Sequence, residues 1–177
     1  MTISTALKDF HLANNLPKDG GENDPFFYIK FKPFTFKFPN PPFRRKVIHI
    51  HDIQHILYDC DTSWKGESFI SGWEIATGMW KHFPIGLFSI SGMFVGLILH
   101  PKEVYEGYKE GLQNNSLMDL EIPKEELLSL SVSQVKDHIK KRKPVQLNWF
   151  VFLFWCLMSA IVTLFPLLVL AVIFLML

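Results

Sequence analysis

The sequence predicts an all-α protein, a helical domain carrying a two-helix metal-binding hairpin and followed by a C-terminal transmembrane helix. Three observations carry this. Caps and breakers divide residues 44–139 into successive short helical segments. His51-Asp52-Ile53-Gln54-His55, eleven further residues and then Glu67 put metal-capable side chains on two consecutive helices. From Leu147 to Leu177 the chain has no charged residue. A length of 177 residues suits one catalytic or binding domain. A formal charge of +1 gives no reason to expect a nucleic-acid partner. Two cysteines, Cys60 and Cys156, make no disulfide framework.

Residues 1–43 divide in two. Residues 1–24 are polar, with Asn14-Asn15 and Gly20-Gly21, and read as a mobile lead-in without a secretory or mitochondrial leader pattern. Residues 26–43 interleave Phe26, Phe27, Phe31, Phe34, Phe36, Phe38 and Phe43 with Lys30, Lys32 and Lys37. Five prolines between Pro25 and Pro42 exclude a long helix there. The first expectation is one or two short extended pieces laid over the helical core, Phe inward. The second is contact of the aromatic and lysine side chains with a membrane surface.

The motif helix is expected from about Lys46 to Tyr58. Asp59, Asp61, Thr62 and Ser63 then supply turn and N-cap chemistry, so the next helix starts near Ser63 or Trp64 and ends near His82-Phe83-Pro84. Glu67 falls in its first turns, and a short helical hairpin would bring it back over His55. Glu74, on the Glu67 stripe, is a candidate supporting partner. Residues 85–99 are uncharged and short for a span, so a buried helix is expected. Gly92 and Gly96, four apart, would let another helix approach closely or leave space for a lipid tail. Pro101 opens the next helix, and Pro123 and Ser131 begin two shorter ones. His49, His82 and His100 read as lying outside the site.

Residues 140–146 form a basic juxtamembrane linker with Lys140, Lys141, Arg142 and Lys143. The apolar run 147–177 exceeds the roughly 20 residues that cross a bilayer core. The cations before it favour the cytoplasmic side for the preceding domain. The expectation is a single-pass C-terminal anchor, kinked at Pro166, with a re-entrant hairpin as the alternative.

On a helix His51 and His55 stand one turn apart on one face, and Asp52 borders that face. With Glu67 they make a mixed nitrogen and oxygen ligand set for a divalent metal: zinc first, or manganese, iron or cobalt. The pattern HDxxH-x11-E, with Gly66 before Glu67 and an apolar helix next, resembles the signature of the Coq-four family of ubiquinone-biosynthesis proteins. The basic lead-in Phe43-Arg44-Arg45-Lys46 and the stretch from His100-Pro101 through Tyr105-Glu106-Gly107-Tyr108 are also similar. The likeness covers roughly residues 40 to 140. The chain departs from the family pattern at Leu57-Tyr58-Asp59-Cys60, where a Thr-Gly pair is usual, and in its Phe-rich N-terminal part.

The resemblance implies a metal held by His51, Asp52, His55 and Glu67. It further implies a prenylated quinone precursor or other isoprenoid lipid as ligand, with the tail along helix 85–99, and replacement of the ring carboxylate by a hydroxyl. Other quinone-biosynthesis enzymes would be partners at the membrane. The alternative is a non-catalytic prenyl-lipid-binding scaffold that organises such enzymes. Metal-dependent phosphohydrolysis and desaturation are weaker readings, because the further histidines they need are not evident.

Overall fold

Two compact units emerge from the chain's contacts, Met1–Asp59 with Ile122–Lys136 and Cys60–Glu121 with Asp137–Leu177. The computed structural model describes residues 1–31, 33–143 and 145–176, without the side chains of Leu167, Leu170 and Ala171. Lys32 of the Phe/Lys segment and Leu177 of the apolar run lie outside the described residues.

In the first unit, Thr2 caps helix α1 (Ile3–Ala13) by accepting a hydrogen bond from the Thr5 N–H. Ile3, Ala6, Leu7 and His11 form its buried stripe, at the spacing of one helical face. The helix ends at Asn14-Asn15, where Asn15 takes a left-handed conformation at φ +54°. This corrects the expectation of a mobile lead-in. The apolar stripe packs on α2 (Pro42–Leu57) and α6 (Lys124–Ser129), and burial of a side chain such as Ile3 contributes about 1.5–3 kcal/mol. Ile3 N–H also bonds the Leu130 carbonyl, and Lys124 pairs with Glu22 at 2.5 Å.

Strands β1 (Phe26–Phe31) and β2 (Phe34–Pro39) pair antiparallel, Phe27 opposite Phe38 and Phe31 opposite Phe34. The architecture is therefore mostly helical with one small sheet, a correction to all-α. β2 is exposed along its whole length, so the Phe side chains are not laid inward over a helical core. Pro41 and Pro42 then start α2, where a proline in the first turn forfeits no helical hydrogen bond. The helix buries Ile48, Ile50, Ile53 and Leu57 and stops at Asp59, φ +52°.

In the second unit, Ser63 caps α3 (Trp64–Thr77), and Gly78 at φ +94° terminates it in a left-handed C-cap. The helix thus ends earlier than the expected His82 boundary, and a short 3₁₀ turn, Met79–Lys81, follows. α3 packs on α4 (Gly86–Leu99) and α5 (Pro101–Gly111). The α3–α5 approach rests on Gly72 and Gly107, because a Cβ on either would collide with the carbonyl of Val104 or Phe69 on the facing helix. α7 (Val132–Ile139) leads to the basic linker. There Lys141 donates to the Leu112 carbonyl and burial holds its pKa below the usual lysine range, while Lys140, Arg142 and Lys143 are exposed.

Helix α8 (Trp149–Met176) runs through Pro166 as one helix rather than a hairpin. Its 28 residues reach about 42 Å at about 1.5 Å each. Over Trp149–Pro166 the mean hydropathy is 2.0 and 11% of the residues are buried, so the segment is long and apolar enough to cross a membrane. Its first turns dock on this unit through aromatic contacts. Trp149 stacks on Tyr105, Phe152 meets Tyr108 edge-on, and Trp155 packs on Trp80. Farther along, Thr163 and Ser91 of α4 share a hydrogen bond at 3.3 Å. α4 is buried on one side only, and Leu87, Phe88, Ile98 and Leu99 remain exposed.

Candidate metal centre

The metal-capable residues of α2 fall into two sets according to their phase on the helix. His51 and His55, one turn apart, cross rings edge-on with centroids 4.8 Å apart, and their Nε2 atoms are 3.2 Å from each other. His55 is fully buried, with Phe10 of α1 tilted against its ring at 5.6 Å, while His51 is half-buried. Two nitrogens bound to zinc at about 2.0–2.1 Å in a tetrahedral set stand about 3.3 Å apart. The observed separation fits that requirement. It also fits one imidazole donating to the other when both are neutral.

Glu67 sits in the first turn of α3 behind the Ser63 cap, and its N–H bonds the Ser63 carbonyl. The ligand atoms of His51, His55 and Glu67 all lie within 4.8 Å of one another, a group that can hold a metal ion. Two imidazoles and one carboxylate suit a divalent cation of borderline softness and leave a coordination position for water or a ligand oxygen. Gln54, the residue before His55, is fully buried, and both atoms of its side-chain amide lack a hydrogen-bond partner among the described residues.

Asp52 belongs to the other set. One residue beyond His51 it points about 100° around the helix, and its Oδ2 accepts a hydrogen bond from His11 Nε2 at 2.8 Å. Both side chains are buried. His11 Nδ1 faces the Lys18 carbonyl at 3.2 Å. A carbonyl and a carboxylate both only accept, so the surroundings of His11 favour a proton on both nitrogens. The hydrogen bond to Asp52, together with the carboxylate's charge, accordingly holds the His11 pKa above the usual histidine value against the opposing effect of burial. Asp52 is thus neutralised by a protein cation and is not among the three convergent ligand atoms.

His11 is the residue that sequence reasoning missed. Its signal was the stripe Ile3, Ala6, Leu7, His11, which reads as a helix once Thr2 is taken as its cap. Glu74 is buried rather than solvated, on the same stripe as Ile70 and Thr77. His49 is half-buried, burial pushes its pKa below the usual range, and its Nδ1 lacks a partner. His82 pairs with Asp119 at 2.8 Å, and His100 stands between α4 and α5.

Gly92 and Gly96 serve close helix packing. A Cβ at Gly96 would lie 2.7 Å from Val104 Cγ2 and 2.9 Å from Ser68 Oγ, and one at Gly92 would lie 3.2 Å from Ser71 Cβ. The room their missing side chains leave is therefore taken up by α3 and α5, the close helix approach expected of two small residues four apart. No protein-family model, curated protein or solved structure matches this chain.

Proposed function

We propose that the chain is a membrane-anchored metalloprotein of prenylated quinone biosynthesis. In this reading His51, His55 and Glu67 hold a divalent metal, zinc in the first instance. The ligand is a polyprenyl-hydroxybenzoate type of precursor, and the domain stands on the cytoplasmic side of its anchor. The observation that carries the reading is the convergence of the two Nε2 atoms and the Glu67 carboxylate. The apolar outer side of α4 beside α8 supports a ligand drawn from the lipid phase, since a polyprenyl tail stays in hydrocarbon.

When bound, the metal polarises a carbonyl or phenolate oxygen and stabilises developing negative charge. The chain's own residues fix that position: Phe10 packs against the His55 ring, and α2 sets the spacing of the two imidazoles. In an oxidative decarboxylation the ring–carboxylate bond breaks, carbon dioxide leaves and a hydroxyl takes its place. The step balances when water supplies the hydroxyl oxygen and dioxygen takes up the two electrons and two protons, leaving as hydrogen peroxide.

One observation favours a second reading, a prenyl-lipid-binding scaffold with a structural metal. Asp52, the carboxylate nearest the pair on α2, is already consumed by His11 and cannot serve as a free base. Metal analysis and lipid extraction on detergent-purified protein test the common core. Wild type is expected to carry about one metal per chain, the stoichiometry of a single three-residue site, and His51→Ala and His55→Ala none. Metal-free wild type would sink both readings. Glu67→Gln then tests the catalytic role: loss of precursor turnover with folding retained supports catalysis, whereas turnover that persists once the metal is lost rules out a catalytic metal at this site.

A further inference from the structure

The antiparallel register of β1 and β2 sorts their side chains by face. Paired residues point to the same side and successive residues alternate. One face therefore consists of Phe27, Ile29, Phe31, Phe34, Phe36 and Phe38. The other carries Phe26, Tyr28, Lys30, Thr35, Lys37 and Pro39. The first face has no polar side chain, yet Phe34, Phe36 and Phe38 are 67%, 49% and 41% exposed. Phe27, Ile29 and Phe31 of β1 are half-buried, with Phe27 on Phe38 and Phe31 on Phe36, so the exposure is concentrated on the β2 row. A two-stranded hairpin is marginal by itself in water, and a contiguous aromatic face of this kind marks an interaction surface.

Charge identifies the occupant. Between Phe26 and Lys46 the sequence has six cations, Lys30, Lys32, Lys37, Arg44, Arg45 and Lys46, and no acidic residue. Lys37 lies 3.9 Å over the Phe26 ring on the opposite face, while on the aromatic face itself the Arg44 guanidinium lies 4.3 Å over Phe27, an arrangement of aromatic body and cationic tip that suits the boundary between acyl chains and headgroups. A second protein copy would bring six like charges against six and gain nothing from them. An anionic bilayer surface satisfies both the aromatic face and the cations.

We infer that the β1–β2 hairpin is a membrane-surface element, its Phe27–Phe38 face buried at the headgroup and acyl boundary of an anionic leaflet. The inference rests on the reading of the chain as membrane-bound, and the experiment keeps the two apart. The full chain, with Cys60→Ser and Cys156→Ser, is reconstituted in vesicles of equal parts phosphatidylcholine and phosphatidylglycerol. An environment-sensitive fluorophore is placed in turn at Phe34→Cys, Phe36→Cys, Phe38→Cys, Tyr28→Cys, Thr35→Cys and, on α8, Leu157→Cys. Quenching by a shallow lipid-borne quencher and by a water-soluble one is measured at each position.

The expected result is an alternation. Positions 34, 36 and 38 are quenched by the lipid-borne agent several-fold more than 28 and 35, and this falls when phosphatidylcholine alone is used. Labels at 34, 36 and 38 that behave as water-exposed while 157 is lipid-quenched would overturn the hairpin proposal and leave the anchor standing. Lipid quenching without alternation would overturn the assignment of the face. Labels at 34, 36 and 38 that are shielded from both quenchers and transfer energy to one another would identify a second copy as the occupant and refute the lipid. If position 157 too is quenched only from water, the membrane reading itself fails.

Discussion

Helix α2 carries two histidine–carboxylate problems and solves them differently. Asp52 meets His11 in a buried pair at 2.8 Å, in which every donor on the imidazole has an acceptor. His51 and His55 meet each other, nitrogen to nitrogen at 3.2 Å, within a group of three ligand atoms that includes Glu67. The first arrangement is electrostatically closed, a cation against an anion. The second brings two imidazoles and a carboxylate to one point, a set that a divalent cation can hold together. Residue type does not separate them, since each set holds histidine and carboxylate, and His51 of one is adjacent in sequence to Asp52 of the other. Phase around the helix and the identity of the facing element do.

The sharpest way to break this comparison is to remove a convergent ligand. His55→Ala is expected to lower metal affinity by more than about 100-fold, beyond the 10–100-fold typical of outer partners, measured by metal titration of the detergent-solubilised protein. Asp52→Asn should do the opposite: it destabilises the first unit by about 1–3 kcal/mol, because a buried imidazolium loses its counter-charge, while metal stoichiometry is retained. If Asp52→Asn empties the metal site as His55→Ala does, Asp52 is a ligand and the two sets are one. Gly20→Ala probes the closed pair from outside. Gly20 has φ +67°, and a Cβ there would stand 2.5 Å from Asp52 Oδ2 and 3.0 Å from His11 Nε2. A cost of about 1–2 kcal/mol in thermal or denaturant unfolding is expected from the left-handed backbone alone, with metal binding again intact.

These contrasts show which parts of the molecule a sequence can convey. His51 and His55 were legible because a single helical turn relates them, and no knowledge of the rest of the fold is needed. The Ser63 cap and the first-turn place of Glu67 were legible for the same local reason. The α8 segment announced itself by 31 uncharged residues in a row. The role of Asp52 was not readable from its neighbours, because its partner lies 41 positions away and depends on α1 folding onto α2. The Phe-rich segment shows a subtler limit. Extended structure followed from its prolines, but the direction of its aromatic side chains depends on strand register, and a one-residue slip would exchange the two faces. Gly92 and Gly96 were visible as small residues at helical spacing. Whether a helix or a ligand fills such a gap is decided by neighbours such as Val104 and Ser68.

The smallest expected effect is also the most specific to the closed pair, its dependence on pH. Asp52 holds the His11 pKa above the ordinary histidine value, so the folded state binds the His11 proton more tightly than the unfolded chain does. Stability from this group is then fully present below the unfolded value of about 6.5 and drains away as pH rises through the higher folded value. The measurement is the difference in unfolding midpoint between wild type and His11→Gln, both held metal-free with chelator so that proton–metal competition at His51 and His55 does not enter. That difference should be largest near about pH 6 and shrink toward about pH 9, where an unperturbed histidine is neutral. A difference that stays flat or grows with pH would mean that His11 is neutral in the fold. The contrast between a closed ion pair and a metal group would then lose its electrostatic basis.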